Sequence, residues 1–593
     1  AAARTAPSAA QADDAVYWYE NDGGSPPPST ERIISVEPTN APDALTAADA
    51  EGDGDLDVFV AFGNDNSVFW FENGGGIPCS DIESFEAGCE LPGPVLEVAL
   101  HLTDTSHDGD TVTFDVDGTK RAVTVIGDLA LYQELGPLEG PHVVELDDPP
   151  SCFAPLQLEC PPPINTGGHG RIMVEGDCTL VDAMIAANTD TAVGACPAGS
   201  GRDHLVLTED VLLTEVASSV GEDDNGTPIV VSEIAIEGND FVVERVEGSP
   251  QFKIFMVAPQ GSLHLDSVTV RGGGFQNHTG GIKNLGNLVL TNTTVSDNHN
   301  QSAPAGISNY GSATLRDSLV TGGDGTGAGG IGNYGGRMAI LNSSVSGNDA
   351  YSAPGGIRNE GIMWLVDSEV SDNVSSQAGG LSNNGTLFIS NSRIVDNFSW
   401  YSIGAFSNFG SEGALYLIDS TVASNGGTGT IANYSFLFVS GSTIADNSHD
   451  GVTVDSSSFG EIVMLNSTVS GNSLFNGFVS GVAVEGDGYL RNVTLAANSN
   501  EPALDVDSDE GTVFLKNVVV GLTTGDDNCS PFWNGAVDMG GNLSDDNSCP
   551  PFFGELTGLD PVLADNGGPT ETHALLPGSS AVDAGGACGL APD

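Results

Sequence analysis

The chain has 593 residues, with 81 Asp and Glu against 16 Lys and Arg, for a formal charge of −65. That balance argues against a nucleic-acid partner and against binding to an anionic membrane surface, since neutralising phosphates takes clustered basic residues. Such charge repels itself, so the chain is either simply a soluble acidic exoprotein or one that needs divalent cations or high salt. No apolar run approaches ~20 residues, and nothing reads as a membrane span.

In chain order, the first residues are AAARTAPSAAQA without Met, which reads as a mature terminus left by export processing. VYWYENDGG from Val16 recurs as VFWFENGGG from Val68, an offset of 52 residues. Between them, Asp49, Glu51, Asp53 and Asp57 stand at relative positions 1, 3, 5 and 9, with Gly54 at 6 and Asp55 beside it. This spacing wraps oxygens around one hard cation, and an all-oxygen set favours calcium. Position 12 is Val60 instead of Glu, and the VFVAF that follows is a strand, so the loop is not helix-flanked. The pattern resembles the calcium loops of VCBS or FG-GAP repeats, the blade elements of integrin-type propellers. Residues 1–78 are assigned to this calcium-binding β module. It holds only about one and a half blades, and a propeller needs four or more to close. The aromatics Tyr17, Trp18, Tyr19, Phe69, Trp70 and Phe71 must then pack on residues 80–165 or on another molecule, the second case implying a homo-oligomer or polymer.

Residues 79–165 contain TVTFDVDGTKRAVTV, a hairpin turning at Asp117-Gly118, and a Pro-rich linker from Pro149 to Pro163. The nine cysteines fall in near pairs, Cys79/Cys89, Cys152/Cys160, Cys178/Cys196 and Cys529/Cys549, with Cys588 left over. Pairs outside the regular repeat fit disulfides stapling its ends, hence a secreted, extracellular location. Residues 171–190 read as the one helical stretch, with Leu180, Ala183, Met184 and Ala187 on one face. The segment resembles the N-terminal cap of bacterial secreted β-helix proteins, CSLREA there and Cys178-Thr179-Leu180-Val181-Asp182-Ala183 here. Residues 166–204 are assigned to this cap, which would cover the open edge of the first coil.

A repeat of 24 to 26 residues then dominates: GGIKNLGNLVLTNTTVSDN from Gly280, GGIGNYGGRMAILNSSVSGN from Gly329, GGIRNEGIMWLVDSEVSDN from Gly355 and GGLSNNGTLFISNSRIVDN from Gly379. Its apolar anchors are Ile282, Ile307, Ile331, Ile357, Leu381, Phe406 and Ile431. Two residues after each anchor stands an Asn (284, 309, 333, 359, 383, 408, 433), and a second series closes most units (298, 348, 373, 397, 425, 447, 472, 498). Short β-branched runs bounded by Gly and Asn are strand-like, and units of this size bury their apolar face only by stacking on copies. The expected fold is all-β: a right-handed parallel β-helix over 205–525, of roughly 13 coils at ~4.8 Å each. The Asn series should form coil-to-coil ladders, and the corner glycines should take φ > 0.

The remaining residues, 526–593, include LDPVLADNGGPTETHALLPGSSAVDAGGAC from Leu559. Asp565-Asn566-Gly567-Gly568-Pro569-Thr570, His573-Ala574-Leu575, Pro577-Gly578-Ser579 and Asp583-Ala584-Gly585 resemble the C-terminal module called choice-of-anchor Q. That family's module continues further and carries another Cys. The resemblance therefore implies a trimmed or processed chain whose missing tail held a surface anchor.

The β-helix fold also hosts polysaccharide lyases and hydrolases, so an active site has to be sought. Lys283 and Arg358 share one repeat position, Asp297 and Asp372 another, and Asp419 and Asp446 read as equivalent turns; His278, His299 and His449 are isolated. The irregular stretch 450–510, with Asp450, Asp455, Glu485, Asp487, Asp505, Asp507 and Asp509, is the first place to look, although its acids fit calcium or solvated loops better. A regular repeat argues against catalysis, because active sites interrupt the pattern they are built on. The expectation is a non-enzymatic cell-surface structural or adhesive protein, for example the self-assembling subunit of a fibre or sheath, with a polysaccharide-binding adhesin or polysaccharide-degrading enzyme as alternatives. Aligned aromatics along one face would favour the binder; a convergent Asp–Asp–Arg or Asp–His cluster would favour the enzyme.

Overall fold

The computed structural model describes residues 171–582 and Ala584 apart from 222, 276–278, 411–412, 450–453, 458–459, 475–478 and 508–510; within 1–170 it describes the strands together with Asp117. Two compact units lie within Ala1–Pro163 and within Ile164–Ala587.

The first unit consists of antiparallel strands. Ser8–Ala10 pairs with Ala15–Glu20 in the register Ser8↔Tyr17, and Asp57–Phe62 pairs with Ser67–Phe71 in the register Val60↔Phe69. Both partners move by the same 52 residues, so the sequence repeat is one hairpin built twice. Thr111–Val116 and Thr119–Thr124 form the hairpin expected at Asp117, whose φ of 52° suits the Asp-Gly turn. Val98, Leu100, Val112, Phe114, Ala130 and Val144 form the buried core beneath it.

The second unit is a parallel β-solenoid. Sheet A has 15 strands, from Arg171–Val174 to Ala536–Asp538, and sheet B has 15, from Val211–Leu213 to Gly554–Glu555. Sheet C has 12, from Phe255–Val257 to Cys529–Asn534, and sheet D nine, from Gly274–Phe275 to Ser473–Leu474. Strands follow one another in chain order within each sheet, one per coil. Sheet A places 13 strands from Arg202–Leu207 to Val513–Lys516, matching the expected number of coils.

Register keeps like on like. Ile282, Ile307, Ile331, Ile357, Leu381, Phe406 and Ile431 pair in succession and are almost wholly buried. Sheets A and B add further apolar stacks, among them Leu290, Leu315, Ile340 and Leu365, and Val295, Val320, Val345 and Val370. Each such side chain contributes about 1.5–3 kcal/mol on burial, and only the neighbouring coils can bury it.

Both Asn ladders form. From Asn284 to Asn433 each Nδ2 donates to the next Oδ1 at 2.7–2.9 Å, and the series ends on Ser456 Oγ. From Asn348 to Asn498 the same bond recurs at 2.9–3.1 Å. A third, buried ladder accompanies them: the backbone N–H groups of Thr293, Ser318, Ser343, Ser368, Ser392, Ser420 and Ser442 each donate to the next coil's hydroxyl.

Two expectations need correction. The left-handed corners belong mostly to Asn and Asp, for example Asn292, Asp317, Asn342 and Asp367 in one column and Asp372, Asp396 and Asp446 in another. The GGI glycines are not among the positive-φ residues; they are required because coils touch there, and a Cβ on Gly356 would lie 2.6 Å from the Gly380 carbonyl oxygen. The helix α1 is only Leu180–Thr189, because Arg171–Val174 is already the first strand of sheet A. Thr179 caps α1 by accepting from the Asp182 N–H at 3.1 Å, and Leu180, Ala183, Met184, Ala186 and Ala187 are buried. Cys178 and Cys196 form a disulfide beside α1, and Cys529 and Cys549 form another at the far end; the side chains of the other cysteines fall outside the described residues.

At the C-terminal end, Leu559–Ala564 and Thr572–Leu575 form a hairpin that returns along sheet B. Thr443 Oγ1 lies 2.9 Å from Thr570 Oγ1 and donates to the Glu571 carbonyl at 2.6 Å. His573 is clamped between Ser470 Oγ and the Asp560 carbonyl, each at 2.7 Å.

Candidate functional site

The outer face of sheet C carries two parallel columns. In one, Lys283, Ser308, Gly332, Arg358, Ser382, Ser407, Ala432, Asp455, Ala483 and Asp505 follow in register. In the other, the residue after each ladder Asn from Asn309 onward gives Tyr310, Tyr334, Glu360, Asn384, Phe409 and Tyr434, each N–H donating to the ladder carbonyl of the coil before. Tyr310 and Tyr334 stack with centroids 5.2 Å apart, and Phe409 and Tyr434 with centroids 5.1 Å apart. Tyr310, Phe409 and Tyr434 are exposed at 47%, 39% and 42%, so this row can touch a ligand. Its rings stack along the rod axis, and burial pushes the Tyr334 phenol up to about 12 against the opposing Arg358 charge, which keeps it a hydrogen-bond donor.

Sheet A bears a second row, Trp364, Phe388, Tyr416 and Phe438, stacked or tilted at 4.7–6.2 Å. Trp364 and Phe438 are only 8% and 2% exposed, so that row works as packing.

One end of the sheet C face is basic. Asp223 accepts from both Lys253, which is fully buried, and Lys283, the latter at 2.9 Å. Burial alone would push the Asp223 carboxyl up, but two ammonium groups on one carboxylate hold it below its ordinary value. Burial also pulls the Lys253 ammonium down, and the shared carboxylate only partly offsets this. A pocket of about 390 Å³ opens beside them, lined by Thr279, Lys283, Tyr310, Tyr334, Arg358 and Glu360. Arg358 sits 5.9 Å from the Tyr334 ring centroid, and its Nε donates to Glu360 at 2.7 Å.

The other end is acidic. Burial, then the charge of Glu485, raises the Asp455 carboxyl; burial raises Asp505, with Asp507 adding and Ser530 opposing. Burial, then the charges of Asp455 and Glu485, raise the Tyr434 phenol. Arg358 and Asp455 are four strands apart, about 19 Å at ~4.8 Å per strand, too far to act on one bond.

Other expected groupings separate. Asp297 and Asp372 share a left-handed corner column, but Asp419 and Asp446 do not: Asp419 belongs with Asn391 and Gly441, Asp446 with Asp396 and Gly471. His299 is a surface residue 3.3 Å from Asp324, and Asp487 lies on sheet A, where it accepts from the Thr512 N–H. His278, Asp450, Asp509 and the side chain of His449 fall outside the described residues. So do Asp49, Glu51, Asp53 and Asp55, while Asp57 opens the strand that pairs Asp57 with Ala48, bringing the ends of the acidic loop together. Among the described residues, no three His, Cys, Asp or Glu side chains are placed to hold a metal ion.

Sequence reasoning found Lys283, Arg358 and Asp455 but missed Asp223, Lys253 and the aromatic row. The row was readable, since four of the seven residues that follow the first-series Asn are aromatic. Neither family models nor curated proteins match this chain. Among solved structures, the pectate lyase Pel9A is similar at 12% identity with a TM-score of 0.27, over 63% of this chain and 80% of that one.

Proposed function

We propose that this chain is a secreted, non-enzymatic adhesive protein of the cell surface whose solenoid holds polysaccharide along sheet C. The observation that carries this reading is the exposed row from Tyr310 to Tyr434, set beside a column of small side chains and spanning about five strand spacings, ~24 Å. Tyrosine offers large, rigid contact with a hydroxyl at its edge and loses little conformational entropy on binding. Polar groups beside it, Ser382 and Asn384 among them, suit a hydroxyl-rich ligand. The separation of Arg358 from the acidic end speaks against a lyase or hydrolase on this face.

In this proposal calcium binds Asp49, Glu51, Asp53, Asp55 and Asp57 and stiffens the duplicated N-terminal hairpins, which join copies into a fibre or sheath. Saturable binding of soluble polysaccharides by the purified chain, lost when Tyr334 and Tyr434 are both replaced by Ala, tests the adhesive part. Negative-stain microscopy with calcium and after chelation tests assembly, where dispersed rods in both conditions would refute it.

A further inference from the structure

We infer that the polysaccharide held on sheet C is an uncharged one, and that it rests in mid-face against a second aromatic group, Trp400 and Tyr401, on the corner that leads from sheet D to sheet C. The inference rests on the polysaccharide-binding reading and names the class of polysaccharide. Tyr351, Trp400 and Tyr401 are exposed at 76%, 64% and 80%, each more open than Tyr310, Phe409 or Tyr434. Rings this open contribute little to the packing of the solenoid and mark a contact surface. Repeat spacing places them. Ser302 stands eight residues before Tyr310, and both line the pocket beside Lys283. Four coils on, Tyr401 stands eight residues before Phe409, and unbroken register joins Asn300 to Ser399 and Ile307 to Phe406. The corner and the row therefore border one face.

The corner rings are braced. Trp400 meets Phe398 edge-on with ring centroids 4.9 Å apart, and Phe398 lies over Gly426 of the next coil, where a Cβ would come within 2.9 Å of its ring. A ring held in advance loses little freedom when a sugar stacks on it. The stretch beside them is uncharged. Ser382, Ser407 and Ala432 follow in register, accompanied by Asn384, Phe409 and Tyr434. Ser407 and Ala432 are buried beneath their neighbours, so a ligand meets the rings first. Arg358 stands one strand before this stretch with Nε and Nη2 both given to Glu360, and Asp455 stands one strand after it. A charged sugar in between would shed water from its ion with no counter-charge to receive it, whereas sugar hydroxyls find Ser382 and Asn384.

The test is calorimetric titration of the full chain with a neutral glucan oligomer, a uronate oligomer and an amino-sugar oligomer, in about 1 M salt, where the field of the whole chain is screened within ~3 Å. The neutral oligomer should bind at least about tenfold more tightly than either charged one. Trp400→Ala and Tyr401→Ala should each weaken it by about fivefold to tenfold with unchanged melting, and Trp400→Phe should keep most of the affinity. Tryptophan emission should shift on binding in the parent chain and stay unshifted in Trp400→Ala, a readout of direct contact. A charged oligomer that binds as tightly as the neutral one, or affinity unchanged in both Ala variants, overturns the inference and leaves the reading of the Tyr310–Tyr434 row standing. Binding of none of the three probes overturns both.

Discussion

Replacing Asn359 with Ala removes one rung from the first ladder. Its Oδ1 accepts from Asn333 Nδ2 at 2.8 Å and from the Gly361 N–H at 3.2 Å. Its Nδ2 donates to Asn383 Oδ1 at 2.8 Å, to the Thr386 carbonyl at 3.0 Å and to the Gly361 carbonyl at 3.1 Å. Some partners keep an alternative: Asn333 Nδ2 still reaches the Gly336 carbonyl, and Asn383 Oδ1 still accepts from the Gly385 N–H. The Gly361 N–H is left without a partner. About two to three net hydrogen bonds at ~1 kcal/mol each, plus an orphaned half-buried donor at about 1 kcal/mol, give a cost of roughly 3–4 kcal/mol. Long repeat arrays do not unfold in one step, so the assay is native-state hydrogen exchange of the amides from Ile331 to Thr386. Asn284→Ala, at the start of the ladder with no Asn before it, should cost about 1 kcal/mol less, because its Oδ1 accepts only from Gly286. Asn359→Ala and Asn383→Ala share a bond, so their combined cost should fall short of the sum. Unchanged protection in Asn359→Ala, or full additivity of the pair, would refute the ladder as a cooperative element.

Gly356→Ala should destabilise its coil by about 2–3 kcal/mol, since the new Cβ must push against the Gly380 carbonyl, whereas Gly335→Ala at a φ of 75° in open space should cost only about 1 kcal/mol; equal losses in melting would contradict the close-contact role of the GGI glycines. Asp455→Asn should stabilise the solenoid at pH 7. The folded Asp455 carboxyl is raised above 3.8, so the folded state keeps this proton longer and wild-type stability falls as pH climbs through that window; the advantage of the variant should vanish below pH 3.8, and an advantage that persists in acid would refute the assignment. His573→Ala leaves Ser470 Oγ and the Asp560 carbonyl without this partner, so the 559–575 hairpin should lose about 2–4 kcal/mol and become the first protease-cut segment while sheet exchange stays unchanged.

The parts of the fold legible in the sequence are those where one position repeats. The apolar anchors and both Asn series recur every coil, and register stacks them where the spacing indicated. No sequence pattern marks the Ser ladder, since Thr293, Ser318 and Ser343 look like any polar residue beside a strand, yet they are buried. The glycine role was misassigned because φ > 0 and close backbone approach both select Gly, and only the 2.6 Å Cβ clash at Gly356 separates them. Asp419 and Asp446 looked equivalent because coil lengths vary there, and the hydrogen-bond register sets them apart. At the basic end, Asp223 and Lys253 precede the regular repeat, and topology joins them to Lys283 across 60 and 30 residues. No local pattern links positions so far apart. His573 and Thr570 stood out only through a family resemblance, and the folded chain gives them a physical role in docking the terminal hairpin.

The claim that sheet C is a saccharide-holding face is tested most directly by hydrogen exchange of the full chain with and without a saturating bound polysaccharide. The account predicts added protection in sheet C from Ile307–Asn309 to Gly429–Asn433 and in the turns beside Tyr310, Tyr334, Phe409 and Tyr434, with sheets A and B unchanged. Protection confined to another face, or an identical pattern in a Tyr334→Ala, Tyr434→Ala variant, would contradict it.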